Sequence, residues 1–129
     1  MIAVLTTCTA DKDPREGLLA AGRRYRGPRI VAAAQRAEAA GAPLLFLSGV
    51  FGIVAAEHPL PWYDHALRAD EVSGLIPSVV GQLVTLGVTG IEGLLAAADT
   101  PGWLPYHRLL AEGCQGAGVG LQITLTELR

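Results

Sequence analysis

Pro43-Leu44-Leu45-Phe46-Leu47 is an apolar run too short for a helix, without alternation, and it stops abruptly at Ser48-Gly49. A run of this kind reads as a strand covered on both faces, the condition of parallel strands in α/β folds. Ile2-Ala3-Val4-Leu5, ending in Thr6-Thr7-Cys8-Thr9, and the segment Ile91 to Ala97 have the same character. The stretches between them carry helical signals. Asp13-Pro14-Arg15-Glu16 offers an N-cap, a first-turn proline and an acid at N3, which predicts a short helix through Ala21. A clearer helix starts at Gly27-Pro28, with Ile30, Ala34, Ala37 and Gly41 on one face and Arg29, Gln35, Arg36 and Glu38 elsewhere, and ends at Gly41 before Pro43. From Val72 to Gly87 the residues Leu75, Ile76, Val79, Val80, Leu83 and Leu86 recur at helical spacing, so Pro77 falls in the first turn or kinks the helix. Pro105 to Glu112 reads as a helix closed by Gly113, and Val119, Leu121, Ile123 and Leu125 alternate as a half-exposed edge strand. Residues 48–67 contain too many turn signals for a regular element and read as an irregular loop.

Strands alternating with helices predict an α/β fold: a small three-layer sandwich with a mostly parallel sheet of about four strands. The whole span 1–129 fits one domain. Half the residues are apolar and 17% are charged, which excludes disorder. No apolar run approaches the roughly 20 residues of a bilayer span, so no membrane role is expected. Two cysteines, Cys8 and Cys114, do not make a disulfide framework, and no charged leader precedes the first apolar run. A reduced, cytoplasmic protein is the expectation.

In open parallel sheets ligands bind beyond the carboxyl ends of the strands. Those ends are residues 6–9, 48–52 and 98–101, which makes Cys8 and Ser48 expected neighbours. Cys8 suits a nucleophile with His65 as its base, or a small buried residue where strand meets loop. Ser48-Gly49 suits an anion seat of hydroxyl and backbone amides, or a tight turn in which Gly49 and Gly52 adopt angles closed to other residues. After Pro59, Pro61 and Trp62 come Tyr63, Asp64 and His65. Asp64 is a candidate general base or ribose-hydroxyl binder, or the cap of a helix beginning near Ala66, with Tyr63 bonded to the loop. His58 and His65 lack metal-ligand spacing, and no Gly-rich phosphate fingerprint or nucleophile elbow occurs, so no metal or cofactor is implied. His107 is expected on an exposed helix face, and Cys114 has no assigned role.

The same residues carry a family likeness. The chain resembles a group of small uncharacterised bacterial and phage domains related to the YaaA family. In that group a first strand ends in Cys-Thr-Lys-x-Lys, a Leu-Tyr-x-Gly-like segment follows, and Leu-Ser-x-x-Tyr-Gly-Leu leads to Pro-Tyr-Asp-x-x-Leu. The counterparts are Cys8-Thr9 with Lys12, Tyr25 with Gly27, Leu47-Ser48 with Phe51-Gly52-Ile53, and Tyr63-Asp64 with Leu67. Ala10 stands in place of the first lysine and Trp62 in place of the proline. The resemblance covers the first half of the chain and implies an α/β domain with a pocket lined by Cys8, Thr9, Lys12, Tyr25, Ser48, Gly49, Gly52, Tyr63 and Asp64.

Three readings of function follow. One is an enzyme or ligand-binding domain for a nucleoside, nucleotide or phosphosugar at the strand-end pocket, with Asp64 and Cys8 as its chemical groups. Another is a nucleic-acid-binding or oxidative-stress-associated protein. Residues 1–36 carry a net charge of +4 against −6 for the remainder, and the arginines Arg15, Arg23, Arg24, Arg26, Arg29 and Arg36 would meet the phosphates, unless they form a solvated face. The last is an interaction module that keeps a pocket without catalysis. An apolar composition of this kind also suits a homo-oligomer.

Overall fold

The computed structural model describes residues 1–129 and bears out the α/β expectation, with one more strand in the main sheet than anticipated. In chain order the elements are β1 (Ile2–Thr7), β2 (Leu19–Ala20), α1 (Ala21–Arg24), α2 (Pro28–Ala40), β3 (Leu44–Ser48), β4 (Gly52–Ala55), β5 (Pro59–Leu60), α3 (Val72–Leu86), β6 (Gly90–Leu95), α4 (Leu104–Ala117) and β7 (Gly120–Leu125). A short 3-10 turn, Ala69–Glu71, leads into α3. The main sheet has the order β4-β3-β1-β6-β7, parallel except for β4. A separate ribbon pairs β2 with β5. No helix is long and apolar enough to cross a membrane.

Alternation along the central strands sorts the two cores. Ala3 and Leu5 of β1, with Leu45 and Leu47 of β3, join Val79, Leu83, Leu109 and Leu110 of α3 and α4 on one face. Val4 faces Ala33 and Ala37 of α2, while Phe46 packs with Ile30, Tyr25, Val54 and Leu60 on the other. Helices therefore cover both faces, and β1 lies in the middle, the position expected of a buried parallel strand.

Four local expectations are corrected. Residues 48–67 are not an irregular loop: Gly52-Ile53-Val54-Ala55 turns back on β3 as an antiparallel strand, and Pro59-Leu60 pairs with Leu19-Ala20. Asp13 to Ala21 does not form a helix. The chain instead runs back beside itself, with Lys12 bridged to Tyr25, and only the four residues of α1 are helical. In α2 the buried positions are Arg29, Ile30, Ala33 and Ala37, one step away from the expected face, so Arg29 points into the protein. Finally α4 continues past Gly113 to Ala117 and stops at Gly118, whose φ of +68° is the left-handed conformation that glycine adopts without a Cβ clash. Gly113 lies inside the helix because a side chain there would collide with Val79 of α3. Cys114 is accordingly buried between the two helices rather than following them.

The chain reverses direction across the sheet at β1, moving outward through α2 to β3 and then back through α3 to β6. Such a reversal leaves a crevice between the carboxyl ends of β1 and β6. Thr126 N–H bonds the Leu95 carbonyl, and the Arg29 N–H bonds the Arg129 carbonyl at 3.2 Å, so the last residues cross this rim toward the start of α2.

Candidate functional site

Four separate stretches of chain meet at the rim. The backbone of residues 11–13 runs antiparallel to residues 24–26, with Asp13 N–H on the Arg24 carbonyl and Arg26 N–H on the Asp11 carbonyl. This register sets Lys12 against Tyr25. The β2–β5 ribbon draws the proline-bracketed loop alongside, and Tyr63 arrives next to Tyr25, ring centroids 6.4 Å apart and edge to face. Ser48 closes the group from the end of β3. Its Oγ lies 2.8 Å from the Tyr63 hydroxyl, which in turn lies 2.5 Å from the Tyr25 hydroxyl.

Cys8 sits where the two cores touch, packing against both. Its Sγ is 3.3 Å from the hydroxyl of Tyr106, a first-turn residue of α4. The Tyr106 hydroxyl accepts the Leu67 N–H at 3.0 Å, which leaves its own hydrogen free for the sulfur. Gly49 permits this arrangement. A Cβ at that position would come within 2.8 Å of the Leu67 nitrogen, the atom that donates to Tyr106, so the backbone there would have to shift.

Cations surround the cluster without carboxylates. The Lys12 ammonium donates to the Thr9 carbonyl and lies 4.7 Å from the centre of the Tyr63 ring. Arg29, 3% exposed, donates to Thr6 Oγ1 and to the carbonyls of Thr7 and Cys8, and its guanidinium stacks 4.8 Å from the Trp103 ring. Arg24, fully buried, donates to four backbone carbonyls, those of Asp13, Arg15, Gly17 and Leu60. The Nε of both arginines has no partner. Burial lowers Arg29 to about 10, which still leaves it charged at neutral pH. Burial raises Tyr25 to about 12, and it also raises Tyr63 and Tyr106, each pushed further by Cys8. All three phenols therefore keep their hydrogens and act as donors near neutrality.

Of the residues singled out in the sequence, Cys8, Thr9, Lys12, Tyr25, Ser48 and Tyr63 come together. Gly49 and Gly52 bracket the adjoining hairpin turn. The amides expected to seat an anion after Ser48 are already engaged: those of Val50 and Phe51 both donate to Ser48 Oγ at 3.1 Å. Asp64 is exposed and caps no helix, because the turn into α3 is capped by Glu71 accepting from the Arg68 N–H at 2.8 Å. His65 does not serve Cys8. Its Nε2 is 2.8 Å from Glu71 Oε1. His107 is half-buried rather than exposed and bonds the Ala96 carbonyl. No three side chains among His, Cys, Asp and Glu converge as a metal-binding set.

Tyr106 was not anticipated as a site residue, and Arg29 was expected only among surface arginines facing a phosphate backbone, not buried beside Cys8. Arg29 shares an i, i+4, i+8 stripe with Ala33 and Ala37, and Tyr106 opens the helix that follows the third parallel strand, so both positions had a geometric signal. Two surface depressions flank the cluster. A groove of about 380 Å³ between α1 and α2 reaches Tyr25 and is lined also by Arg23, Arg26 and Ile30, and one of about 360 Å³ is lined by Gly49, Val50, His65, Glu71 and Leu75. Cys8 and Tyr63 are the partly exposed members of the cluster. Comparison with models of protein families, with curated proteins and with solved structures finds no match.

Proposed function

We propose that the protein is an enzyme or ligand-binding domain for a nucleoside, nucleotide or phosphosugar, held at the carboxyl ends of β1 and β3. One observation carries this reading. Cys8, Lys12, Tyr25, Ser48 and Tyr63, spread over more than fifty positions of sequence, form one connected group at the carboxyl edge of the parallel sheet, beside the β1–β6 gap where the strand order reverses. These are also the residues on which the resemblance to the YaaA-related group rests, which supports a kinship in the site as well as in the fold. Two unpaired thiols, Cys8 and Cys114, suit a reduced cytoplasmic setting.

The nucleic-acid alternative is weakened by the arginines themselves. Arg24 and Arg29 are buried, while Arg15, Arg26 and Arg36 are paired with Asp13, Asp11 and Glu92. Arg23 alone of the six is exposed without a partner, and a phosphate backbone would have to compete for the surface pairs of Arg15, Arg26 and Arg36.

A thermal-shift panel of nucleosides, nucleotides and sugar phosphates tests the proposal. At least one of them is expected to raise the melting temperature of the wild type, and Lys12→Met is expected to abolish that shift. A flat response across the panel, or an equal shift in the variant, would sink it.

A further inference from the structure

The hydroxyl cluster contains one hydrogen more than it can use. Ser48 Oγ accepts the amide hydrogens of Val50 and Phe51, which occupies its lone pairs, so its own hydrogen must go to Tyr63. Ser48, Tyr63 and Tyr25 contribute three hydroxyl hydrogens to two hydroxyl–hydroxyl contacts. One phenolic hydrogen is left over. Either phenol can donate in the Tyr25–Tyr63 contact. In the head-to-tail order Ser48 to Tyr63 to Tyr25 the leftover hydrogen belongs to Tyr25, among the largest fully buried side chains, and the other hydroxyl beside it, Ser48 Oγ, already accepts from Val50 and Phe51.

Lys12 adds to the imbalance. It is 8% exposed, gives one ammonium hydrogen to the Thr9 carbonyl, and otherwise meets only the faces of the Tyr25 and Tyr63 rings, 5.9 and 4.7 Å from their centres, with no carboxylate partner. On the far side of Cys8 the buried Arg29 also lacks a carboxylate and has an orphan Nε. Buried donors without acceptors are destabilising, and buried cations without counter-charges more so. The nearby carboxylates do not relieve them, since Asp11 and Asp13 are turned to Arg26 and Arg15. A surplus made wholly of donors and positive charge is complementary to one kind of visitor, an oxyanion. Two buried cations with dipolar and aromatic partners but no counter-charge match a dianion better than a single carboxylate.

We infer that Lys12 and Tyr25 form the donor wall of an oxyanion subsite that takes the phosphoryl group of a phosphate monoester beside Cys8, with Ser48 and Tyr63 as positioning residues that turn Tyr25 outward as a donor. This rests on the strand-end ligand site proposed above and names the part of the ligand that it holds. The phosphoryl group takes the leftover Tyr25 hydrogen and the ammonium hydrogens of Lys12 that Thr9 does not use and that otherwise face the Tyr25 and Tyr63 rings. Tyr63 holds the Tyr25 oxygen as an acceptor, so that the Tyr25 hydrogen is directed to the ligand. No bond is made or broken in this binding step.

The test titrates inorganic phosphate, a pentose phosphate, the same pentose without phosphate, a nucleoside and acetate into the wild type, Tyr25→Phe, Tyr63→Phe and Lys12→Met, following phosphorus NMR and calorimetry. Amide fingerprint spectra establish that each variant is folded. Phosphate and pentose phosphate are expected to bind the wild type. Tyr25→Phe should weaken both by about ten- to a hundredfold, the loss of a hydrogen bond to a charged group. Should Tyr25→Phe fail to fold, Lys12→Met carries the same expectation. Tyr63→Phe should weaken them by less, and should also remove the slowly exchanging phenolic proton resonance of the Tyr63–Tyr25 bond, a signal that a purely structural role would not couple to phosphate affinity. Pentose phosphate binding more tightly than inorganic phosphate identifies the phosphoryl group of a larger molecule as the natural source, and equal affinities identify free phosphate. Unchanged phosphate affinity in a folded Tyr25→Phe or Lys12→Met variant overturns the inference. So does a nucleoside or acetate binding as tightly as phosphate. A nucleoside that binds the wild type but not Lys12→Met would preserve the ligand-site reading while removing this one, and no binding by any member would remove both.

Discussion

The two faces of the sheet are built on different principles. Under α3 and α4 lies a continuous core of 17 buried residues without a charge among them, tight enough that Gly113 and Gly116 admit no side chain against Val79 and Val80. The α1/α2 face divides its apolar contacts into clusters of six and three residues. All seven buried polar or charged residues, from Thr6 to Ser48, lie in the first part of the chain and none in α3 or α4. Apolar burial needs only shape and volume, whereas buried cations and hydroxyls need a partner for every hydrogen. The contrast teaches that one face holds the sheet together, and the other carries an electrostatic surplus that packing alone does not explain.

Variants on each face can break that contrast. Leu109→Ala, deep in the larger core, should cost about 2–5 kcal/mol by chemical denaturation, the range for truncating a buried leucine. Ligand affinity measured below its lowered melting temperature should stay at the wild-type value. Arg24→Met keeps most of the side-chain volume and removes the fork that ties Asp13, Arg15 and Gly17 to Leu60. Part of the freed carbonyl set regains water, so a smaller loss of about 2–3 kcal/mol is expected. Binding should fail with it, because the segment carrying Lys12 leads directly into the loop that Arg24 holds. An Arg24→Met protein that is destabilised yet binds normally, or a Leu109→Ala protein that loses affinity, would show the division between the faces to be wrong.

How legible each face was follows from the same difference. The buried strands and α3 could be read from residue type, because Leu5, Leu45, Leu83 and their neighbours have no other reason to recur as they do. Helix α2 is rich in alanine, which is indifferent to burial, so its phase slipped by one residue and Arg29 was assigned to solvent. Strand β4 hid between turn signals, since four residues of Gly-Ile-Val-Ala are too few to show a period. In the site, Cys8, Lys12, Tyr25, Ser48 and Tyr63 were marked by their place at strand ends and by motif. Their connection was not, because it depends on the Lys12–Tyr25 bridge and the β2–β5 ribbon, pairings of very short segments with no sequence signature. Asp64 looked chemical through its neighbours in sequence, and its exposure is a matter of which way the loop turns.

The smallest effect should come from the one ion pair that ties the polar face to the sheet. Arg36 of α2 grips Glu92 of β6 with both ends of its fork, at 2.7 and 3.1 Å. The Arg36 bond holds Glu92 below the ordinary glutamate range, and the charge of Arg36 adds to the effect. A carboxylate depressed in the folded state contributes stability that is complete above its unfolded-state value and is lost as the pH falls through the folded-state one. Wild-type stability should therefore decline on acidification through and below the usual glutamate range, and Glu92→Gln should show a shallower decline. The two curves should meet at the acid end, where the wild type has lost its charge as well. Urea midpoints taken from about pH 7 down to about pH 3 check this. Because the pair is partly exposed, added salt should narrow the gap at neutral pH. A gap that persists unchanged at the acid end would mean that Glu92 acts through packing rather than charge, and the polar face would then owe less to electrostatics than its buried cations suggest.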